Sequence, residues 1–230
     1  MRQLALDLQL ADYARFESYF PGPNLVVAEA LRQAATVPGA QVIWLWGPAG
    51  SGRSHLLQAC IAAAAAINSI CAWLPLGDAS SLAPQMLDGM GALDLVCIDD
   101  VDEIAGQPDW EKALFILFEE LREHDARLIV AASAAPANVE FGLRDLASRL
   151  ASGPTWKLKA LSDDDQLAAL QMRAGWRGLE LPDDTGSYLL RRVERSNAAL
   201  FAMLDELDAA ALTAQRRLTI PFVREVLGLS

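Results

Sequence analysis

The sequence predicts an α/β fold, in which a parallel sheet lies between helices, followed by a small all-helical lid. Four apolar, strand-like runs alternate with stretches that are long enough to form crossover helices. Apolar strands separated in this way are typical of a parallel sheet covered on both faces. From residue 161 onwards only helical patterns follow. We therefore place an α/β core at residues 11–160 and a helical lid at residues 161–230.

The individual elements follow from apolar periodicity and from local start and stop signals. Strands are predicted at residues 42–46, 70–74, 93–98 and 127–132. Core helices are predicted at residues 55–67 and 109–124, and lid helices at 163–177, 184–193 and through 200–212. Ser162 is a good N-cap for the first lid helix, and Thr219 precedes a last short helix.

Composition and charge exclude several classes of function. The chain has 230 residues, 53% of them hydrophobic, and a net charge of −11. Nucleic-acid affinity depends mainly on phosphate neutralisation, so this balance argues against direct, sequence-specific DNA binding. The three cysteines lack metal-ligand spacing and suit reduced thiols in the cytoplasm. No secretion signal is evident, and the apolar stretch 59–76 is better explained as a helix and a strand than as a membrane span.

A glycine-rich loop joins the first predicted strand to the helix that follows it. The loop and the first helical residues are Gly47, Pro48, Ala49, Gly50, Ser51, Gly52, Arg53, Ser54 and His55. They match the phosphate-binding pattern, with arginine in place of lysine. Glycines let backbone N–H groups surround a di- or triphosphate, and the helix start adds its dipole. We expect Arg53 to neutralise phosphate oxygens and Ser54 to bind Mg²⁺. The alternative is a plain turn between a strand and a helix.

Two carboxylates end the third predicted strand. Asp99 and Asp100 directly follow the apolar run Leu95-Val-Cys-Ile98. We expect Asp99 to hold Mg²⁺ through water and Asp100 to lie where a general base polarises an attacking water. Acidic residues after a strand are common, so this assignment depends on its pairing with the glycine-rich loop.

The sequence around both motifs resembles the AAA+ module of the replication initiator DnaA, and more closely the Hda family of DnaA inactivators. The resemblance is carried by segments 87–106, 110–115, 143–150, 161–165 and 218–227. It implies an AAA+ P-loop core with a helical lid, bound ADP or ATP with Mg²⁺, and DnaA as a partner. The chain ends at Ser230, before the helix-turn-helix domain that DnaA adds after its lid.

The same resemblance implies two further functional segments. Arg149, within segment 143–150, corresponds to the family's arginine finger, which would act in trans on DnaA. Residues 1–10 resemble the peptide that binds the β sliding clamp of DNA polymerase III, with contacts through Gln3, Leu4, Leu6 and Leu8. The plain alternative for residues 1–10 is an amphipathic terminus or an edge strand. The plain alternative for Arg149 is a solvated arginine on a helix.

Several positions depart from the family pattern. Arg53 replaces lysine, and Ser133 occupies the first sensor position, where DnaA-like proteins carry aspartate. Ala198 aligns with the family's nucleotide-sensing lid arginine, and Arg195 is the neighbouring candidate for that role. These departures fit a protein that works in an ADP-bound form. The aromatic residues of segment 16–24 either pack near the adenine or belong to the core.

The leading interpretation is a clamp-bound regulator that docks on ATP-bound DnaA and stimulates ATP hydrolysis there, limiting re-initiation of replication. Its own hydrolysis is expected to be weak, and a homo-oligomer is left open. A self-contained AAA+ ATPase or loader, and a non-enzymatic clamp-to-partner adaptor, are the alternative interpretations.

Overall fold

A five-stranded parallel sheet lies at the centre of the core. The computed structural model describes residues 14–77, 81–192, 203–204, 206–207, 209–210 and 218–228. The strands are β1 (Gln41–Trp46), β2 (Cys71–Pro75), β3 (Leu95–Asp99), β4 (Arg127–Ala132) and β5 (Thr155–Lys157). Their order is β2-β3-β4-β1-β5, and every neighbouring pair is parallel. The predicted α/β fold with a parallel sheet is confirmed.

Helices cover both faces of this sheet. The core helices are α1 (Leu25–Thr36), α2 (Arg53–Ala66), α3 (Pro108–Glu123) and α4 (Arg144–Leu150). Side chains alternate along a strand, so Ile43 and Leu45 pack in the layer of α1 and α2, whereas Trp44 packs in the layer of α3 and α4. The predicted bounds of α2 and α3 are correct to within two residues. Helix α1 follows the loop signal Pro21-Gly22-Pro23 and was not predicted from the sequence.

A buried arginine fixes the end of α1 against the sheet. Arg127 begins β4, is 3% exposed, and donates through Nη1 to the carbonyl of Ala35 at 2.8 Å. The same nitrogen lies 3.3 Å from the carbonyls of Ala34 and Val37. The last carbonyls of a helix lack partners within the helix. Arg127 therefore satisfies the C-terminus of α1 from inside the core.

The lid is helical, as predicted. Its helices are α5 (Asp163–Trp176), α6 (Asp183–Arg192) and α7 (Ile220–Leu227), and the described residues of 203–210 are also helical. Ser162 caps α5, because its Oγ accepts the N–H of Asp165 at 3.1 Å. The lid has its own apolar core, which includes Leu170, Leu189 and Val223. No helix in the described part of the chain is long and apolar enough to cross a membrane.

The linker before α1, residues 14–24, is hydrogen-bonded to the segment that leads from β5 into the lid. Asn24 is 1% exposed and donates through Nδ2 to the carbonyl of Lys159 at 2.9 Å. The Lys159 N–H in turn donates to Asn24 Oδ1 at 2.8 Å. The Asn24 side chain therefore makes both backbone hydrogen bonds of Lys159, as a residue of a neighbouring strand would. It fixes the position of the segment at which the lid begins.

Candidate functional site

The glycine-rich loop leaves the carboxyl end of β1 and turns into α2. Gly52, immediately before α2, has a φ of 92°, which a residue with a side chain rarely adopts. A Cβ on Gly47 would lie 2.9 Å from the carbonyl oxygen of Leu158 and 3.0 Å from Ser51 Oγ. Both positions therefore require glycine, and the loop is built as the motif predicts.

Tyr19 supports this loop from the linker side. Its hydroxyl donates to the Ser51 carbonyl at 3.3 Å, and its Cε2 atom would lie 2.7 Å from a Cβ on Gly52. Burial raises the pKa of Tyr19 to about 12, so the hydroxyl stays a donor. The sequence left open whether the aromatic residues of segment 16–24 pack near the adenine or belong to the core. Tyr19 belongs to the core, and it also contacts the phosphate loop.

His55 faces the same linker. Its ring lies 5.5 Å from the ring of Tyr19, and Nε2 lies 2.9 Å from the Arg15 carbonyl. Burial lowers the pKa of His55; the Arg15 carbonyl opposes this shift, and the charge of Arg173 adds to it. A carbonyl only accepts, so the neutral ring carries its proton on Nε2. His55 thus ties the start of α2 to the linker.

Arg53 binds protein groups on both sides of the loop. Its Nη1 donates to the Gly47 carbonyl at 3.1 Å, and its Nη2 donates to Asp100 Oδ1 at 3.0 Å. The two side chains are 14% and 33% exposed. The motifs predict that Arg53 binds phosphate oxygens and that Asp100 faces an attacking water; they do not predict that these two side chains pair with each other.

Asp99 lies at the end of β3, next to the hydroxyl of Ser54. The Asp99 side chain is hydrogen-bonded to Ser54, and the residue is 2% exposed. Burial raises the pKa of Asp99 to about 6, and the neighbouring Asp100 also raises it, whereas Ser54 and Arg53 oppose the shift. The structure therefore brings together the two residues that the sequence assigned to Mg²⁺.

Ser133, at the predicted sensor position after β4, is held by a carboxylate. Its N–H donates to Asp102 Oδ2 at 3.0 Å, and its hydroxyl donates to the same oxygen. Asp102 lies in the short helical turn that follows Asp100. The sequence offered no signal for Asp102, because its partner is far away along the chain.

Arg149 lies in the last turn of α4, on the surface of the core. Its side chain is 47% exposed, and Nε lies 3.3 Å from Glu119 Oε1 of α3. Glu119 also pairs with Arg122, one turn further along α3. The clamp-binding candidates Gln3, Leu4, Leu6 and Leu8 and the lid candidate Arg195 lie outside the described residues.

Comparison with known proteins shows what this arrangement is similar to. Residues 163–227 match the family model described as Hda, lid domain. Domain III of the Thermotoga maritima replication initiation protein DnaA superposes with a TM-score of 0.77 at 19% identity, covering 95% of this chain and 97% of that one.

The chain has the AAA+ fold of DnaA domain III, and its lid is similar to that of Hda.

Further solved structures share the AAA+ fold at greater distance. AMPPCP-bound DnaA from Aquifex aeolicus has a TM-score of 0.68 at 20% identity, covering 86% of this chain and 65% of that one. The Thermotoga maritima RuvB Holliday junction branch migration motor has a TM-score of 0.63 at 12% identity, covering 91% and 68%. These matches confirm the predicted AAA+ fold class.

The residues of this AAA+ site fit a nucleotide with Mg²⁺. Within the described residues, Ser51 Oγ is buried without a hydrogen-bond partner. It lies inside the phosphate loop, 3.0 Å from the place that a Cβ on Gly47 would take. Ser54 and Asp99 offer the oxygen ligands that Mg²⁺ takes alongside phosphate. The described part of the chain holds no cluster of three or more His, Cys, Asp or Glu side chains suited to a metal.

Replacing Asp99 with asparagine should stabilise the AAA+ core in the absence of metal while removing the effect of Mg²⁺ on nucleotide binding. The pKa of Asp99 is higher in the folded chain than its ordinary 3.8, so folding favours the protonated form. The ionised carboxylate lowers the free energy of unfolding. This destabilisation is present in full above pH about 6 and disappears as the pH falls below 3.8. From this pKa shift, Asp99→Asn should have a free energy of unfolding at pH 7 that is higher than that of the wild type by on the order of 3 kcal/mol.

Urea unfolding of wild type and Asp99→Asn at pH 7 and pH 4, without metal, measures this difference. The stability advantage of the variant should be large at pH 7 and much smaller at pH 4. Equal stabilities at pH 7, or a Mg²⁺-dependent nucleotide affinity that survives the substitution, would contradict the assignment. Asp109→Asn, on an exposed residue at the start of α3, is the matched control.

Proposed function

We propose that this chain is an ADP-bound regulator of DnaA. It binds the β sliding clamp through residues 1–10 and supplies Arg149 in trans to the ATP site of DnaA, which limits re-initiation of replication. The match of residues 163–227 to the Hda lid and the DnaA-like fold support this proposal. The observation that carries it is the contrast between two arginines: Arg53 is held inside its own site, whereas Arg149 is presented on the surface.

The pairing of Arg53 with Asp100 argues against a self-contained ATPase. A general base must be within reach of the attacking water and able to accept a proton. Asp100 Oδ1 instead accepts a hydrogen bond from Arg53 Nη2 at 3.0 Å, so this oxygen is already engaged by a protein group and does not face an attacking water alone. We therefore infer that the site holds a nucleotide and hydrolyses it slowly.

Arg149 has the properties that a residue acting on a partner needs. Leu146 and Leu150 are fully buried and anchor α4 in the core. Arg149 lies between them in sequence and points its charge to the surface, where Glu119 is its partner. An exposed ion pair of this kind contributes little to stability, so exchanging Glu119 for the phosphates of a bound nucleotide costs little.

We expect the purified chain to bind ADP at least as tightly as ATP. The lysine that would contact a γ-phosphate is replaced by Arg53, which is shared with Gly47 and Asp100. Equilibrium titration with each nucleotide, in the presence of Mg²⁺, gives the two dissociation constants. ATP binding more than about tenfold tighter than ADP binding, or roughly 1.4 kcal/mol, would contradict this expectation.

The variant Arg53→Lys tests the reason for that preference. A single ammonium group cannot reproduce the planar fork that reaches both Gly47 and Asp100. We expect this variant to release Asp100 and to raise the basal ATPase rate of the chain. An unchanged basal rate would show that the pair does not restrain hydrolysis.

Removing residues 1–9 should abolish clamp binding without changing the melting temperature. The same result is expected when Gln3, Leu6 and Leu8 are changed to alanine, because an extended peptide binds through its own amide and leucine side chains. Clamp binding is measured by surface plasmon resonance, and DnaA-dependent ATP hydrolysis is measured with and without clamp on DNA. Both variants should lose the clamp-dependent stimulation. A large fall in melting temperature would assign these residues to the core instead.

A further inference from the structure

One carboxylate of α3 is buried against two separate loops. Glu111 lies in the first turn of α3 and is 2% exposed. Its Oε1 accepts the N–H of Gly106 at 2.7 Å and the N–H of Gly142 at 3.0 Å. Its Oε2 accepts the N–H of Leu143 at 2.6 Å. Charge-assisted hydrogen bonds are the strong ones, so these three amides are held in fixed positions around one side chain.

The two loops lead to the two functional ends of the core. Gly106 follows the short turn Val101–Ile104, which begins directly after Asp100. Gly142 and Leu143 lie immediately before α4, and Leu143 is its N-cap residue. Glu111 therefore connects the segment that leaves the nucleotide site to the segment that enters the helix carrying Arg149.

The position of α4 depends on such anchors, because the helix has only 7 residues. A helix of two turns is not stable by itself in water, so tertiary contacts decide where it lies. Leu146 and Leu150 fix its depth in the core. Helix α3 contacts it at both ends, through Glu111 at the start and through Glu119 at Arg149.

The three backbone N–H groups satisfy the oxygens of this buried carboxylate. An apolar side chain of similar volume would leave the three amides without this acceptor. The charge of Glu111 does what an apolar residue cannot do, since it sets the position of three backbone amides at once.

We propose that Glu111 is the positioning residue of the arginine finger: by fixing Gly142 and Leu143, it places α4 so that Arg149 reaches the partner's nucleotide. This inference rests on the proposed function, because it concerns the reaction that Arg149 assists in DnaA. The carboxylate of Glu111 is hydrogen-bonded to the backbone amides of Gly106, Gly142 and Leu143 and acts through them.

The variant Glu111→Gln tests this role in the complete chain, with clamp on DNA and ATP-bound DnaA. Glutamine keeps the volume but offers one acceptor oxygen and directs an NH₂ group at backbone N–H donors. A finger displaced by about 1 Å should lower the maximal stimulated rate by roughly a hundredfold. Clamp binding, ADP binding and the concentration that gives half-maximal stimulation should not change. Glu103→Gln, an exposed residue of the turn after Asp100, is the control and should behave like wild type.

Arg149→Ala and the double variant with Glu111→Gln separate the two proposals. If Glu111 acts through Arg149, the double variant has the same residual rate as Arg149→Ala alone. Full stimulation by Arg149→Ala would overturn the proposed function. Loss of stimulation in Arg149→Ala together with a wild-type maximal rate in folded Glu111→Gln would overturn the positioning role alone.

Melting curves decide whether each variant is folded. If Glu111→Gln does not fold, Glu111→Asp takes its place, because it keeps the charge and withdraws it by one methylene group. The same fall in maximal rate is then expected. If neither variant folds, Glu111 is required for stability, and the positioning role is overturned.

Discussion

Replacing Arg149 with alanine is expected to remove the stimulation of ATP hydrolysis by DnaA while clamp and ADP binding stay intact. An arginine finger supplied in trans is worth about 10³–10⁵ in rate, because it stabilises charge on the transferring phosphoryl group. Arg149→Lys should fail nearly as badly, since a lysine offers a point charge in place of a planar fork. The measurement is single-turnover hydrolysis of ATP bound to DnaA, in the presence of clamp on DNA.

The chain itself provides a matched control. Arg144 is exposed at the first position of α4, so Arg144→Ala removes an equal charge from the same helix. If Arg149→Ala keeps full stimulation and Arg144→Ala loses it, the finger is Arg144. If both keep it, the chain is an adaptor between clamp and partner. Loss of ADP binding in Arg149→Ala would show that this residue acts on its own nucleotide.

Replacing Gly153 with alanine should have the largest effect on stability. A Cβ at this position would lie 1.9 Å from the carbonyl oxygen of Val42 and 2.9 Å from its carbonyl carbon. Both are backbone atoms near the start of β1, so neither can move aside without disturbing the central sheet. Overpacking against backbone should cost about 3 kcal/mol or more. Urea unfolding followed by circular dichroism measures the loss.

Gly175→Ala is the opposite control. Gly175 lies within α5, is exposed, and a Cβ there would meet nothing within 4 Å. An exposed helical alanine should stabilise by roughly 0.5–1 kcal/mol relative to glycine. Equal effects of the two substitutions would show that the close approach of Gly153 to β1 does not restrict the side chain at that position.

Local patterns were sufficient to predict most of the core. Strands β1 to β4 are apolar runs of five or six residues, and the phosphate loop is a contiguous motif. The cap at Ser162 was also predicted, because its partner is three residues away. Strand β5 was missed, since it has only 3 residues and both of its ends are exposed. Such a segment becomes a strand only because β1 offers it an edge.

The side-chain contacts of the site could not be predicted in the same way. The sequence placed Arg53 and Asp100 in two separate motifs, and their pairing joins residues that are 47 positions apart. Ser133 is held by Asp102 from 31 positions away, and Glu111 reaches Leu143 across 32. Contacts of this separation leave no periodic signal, because they depend on how the strands are ordered in the sheet.

That strand order also has a consequence for how the protein is made. Strand β1 pairs with β4 and β5, and its first residue, Gln41, lies opposite Arg127. When the ribosome has synthesised β1 and the phosphate loop, their neighbours in the sheet do not yet exist. Contacts between distant segments slow folding, and a nascent chain folds in the order in which its parts emerge. The nucleotide site therefore forms late, once the chain has been extended through β4, and a product that stops before residue 127 lacks the strands that frame it.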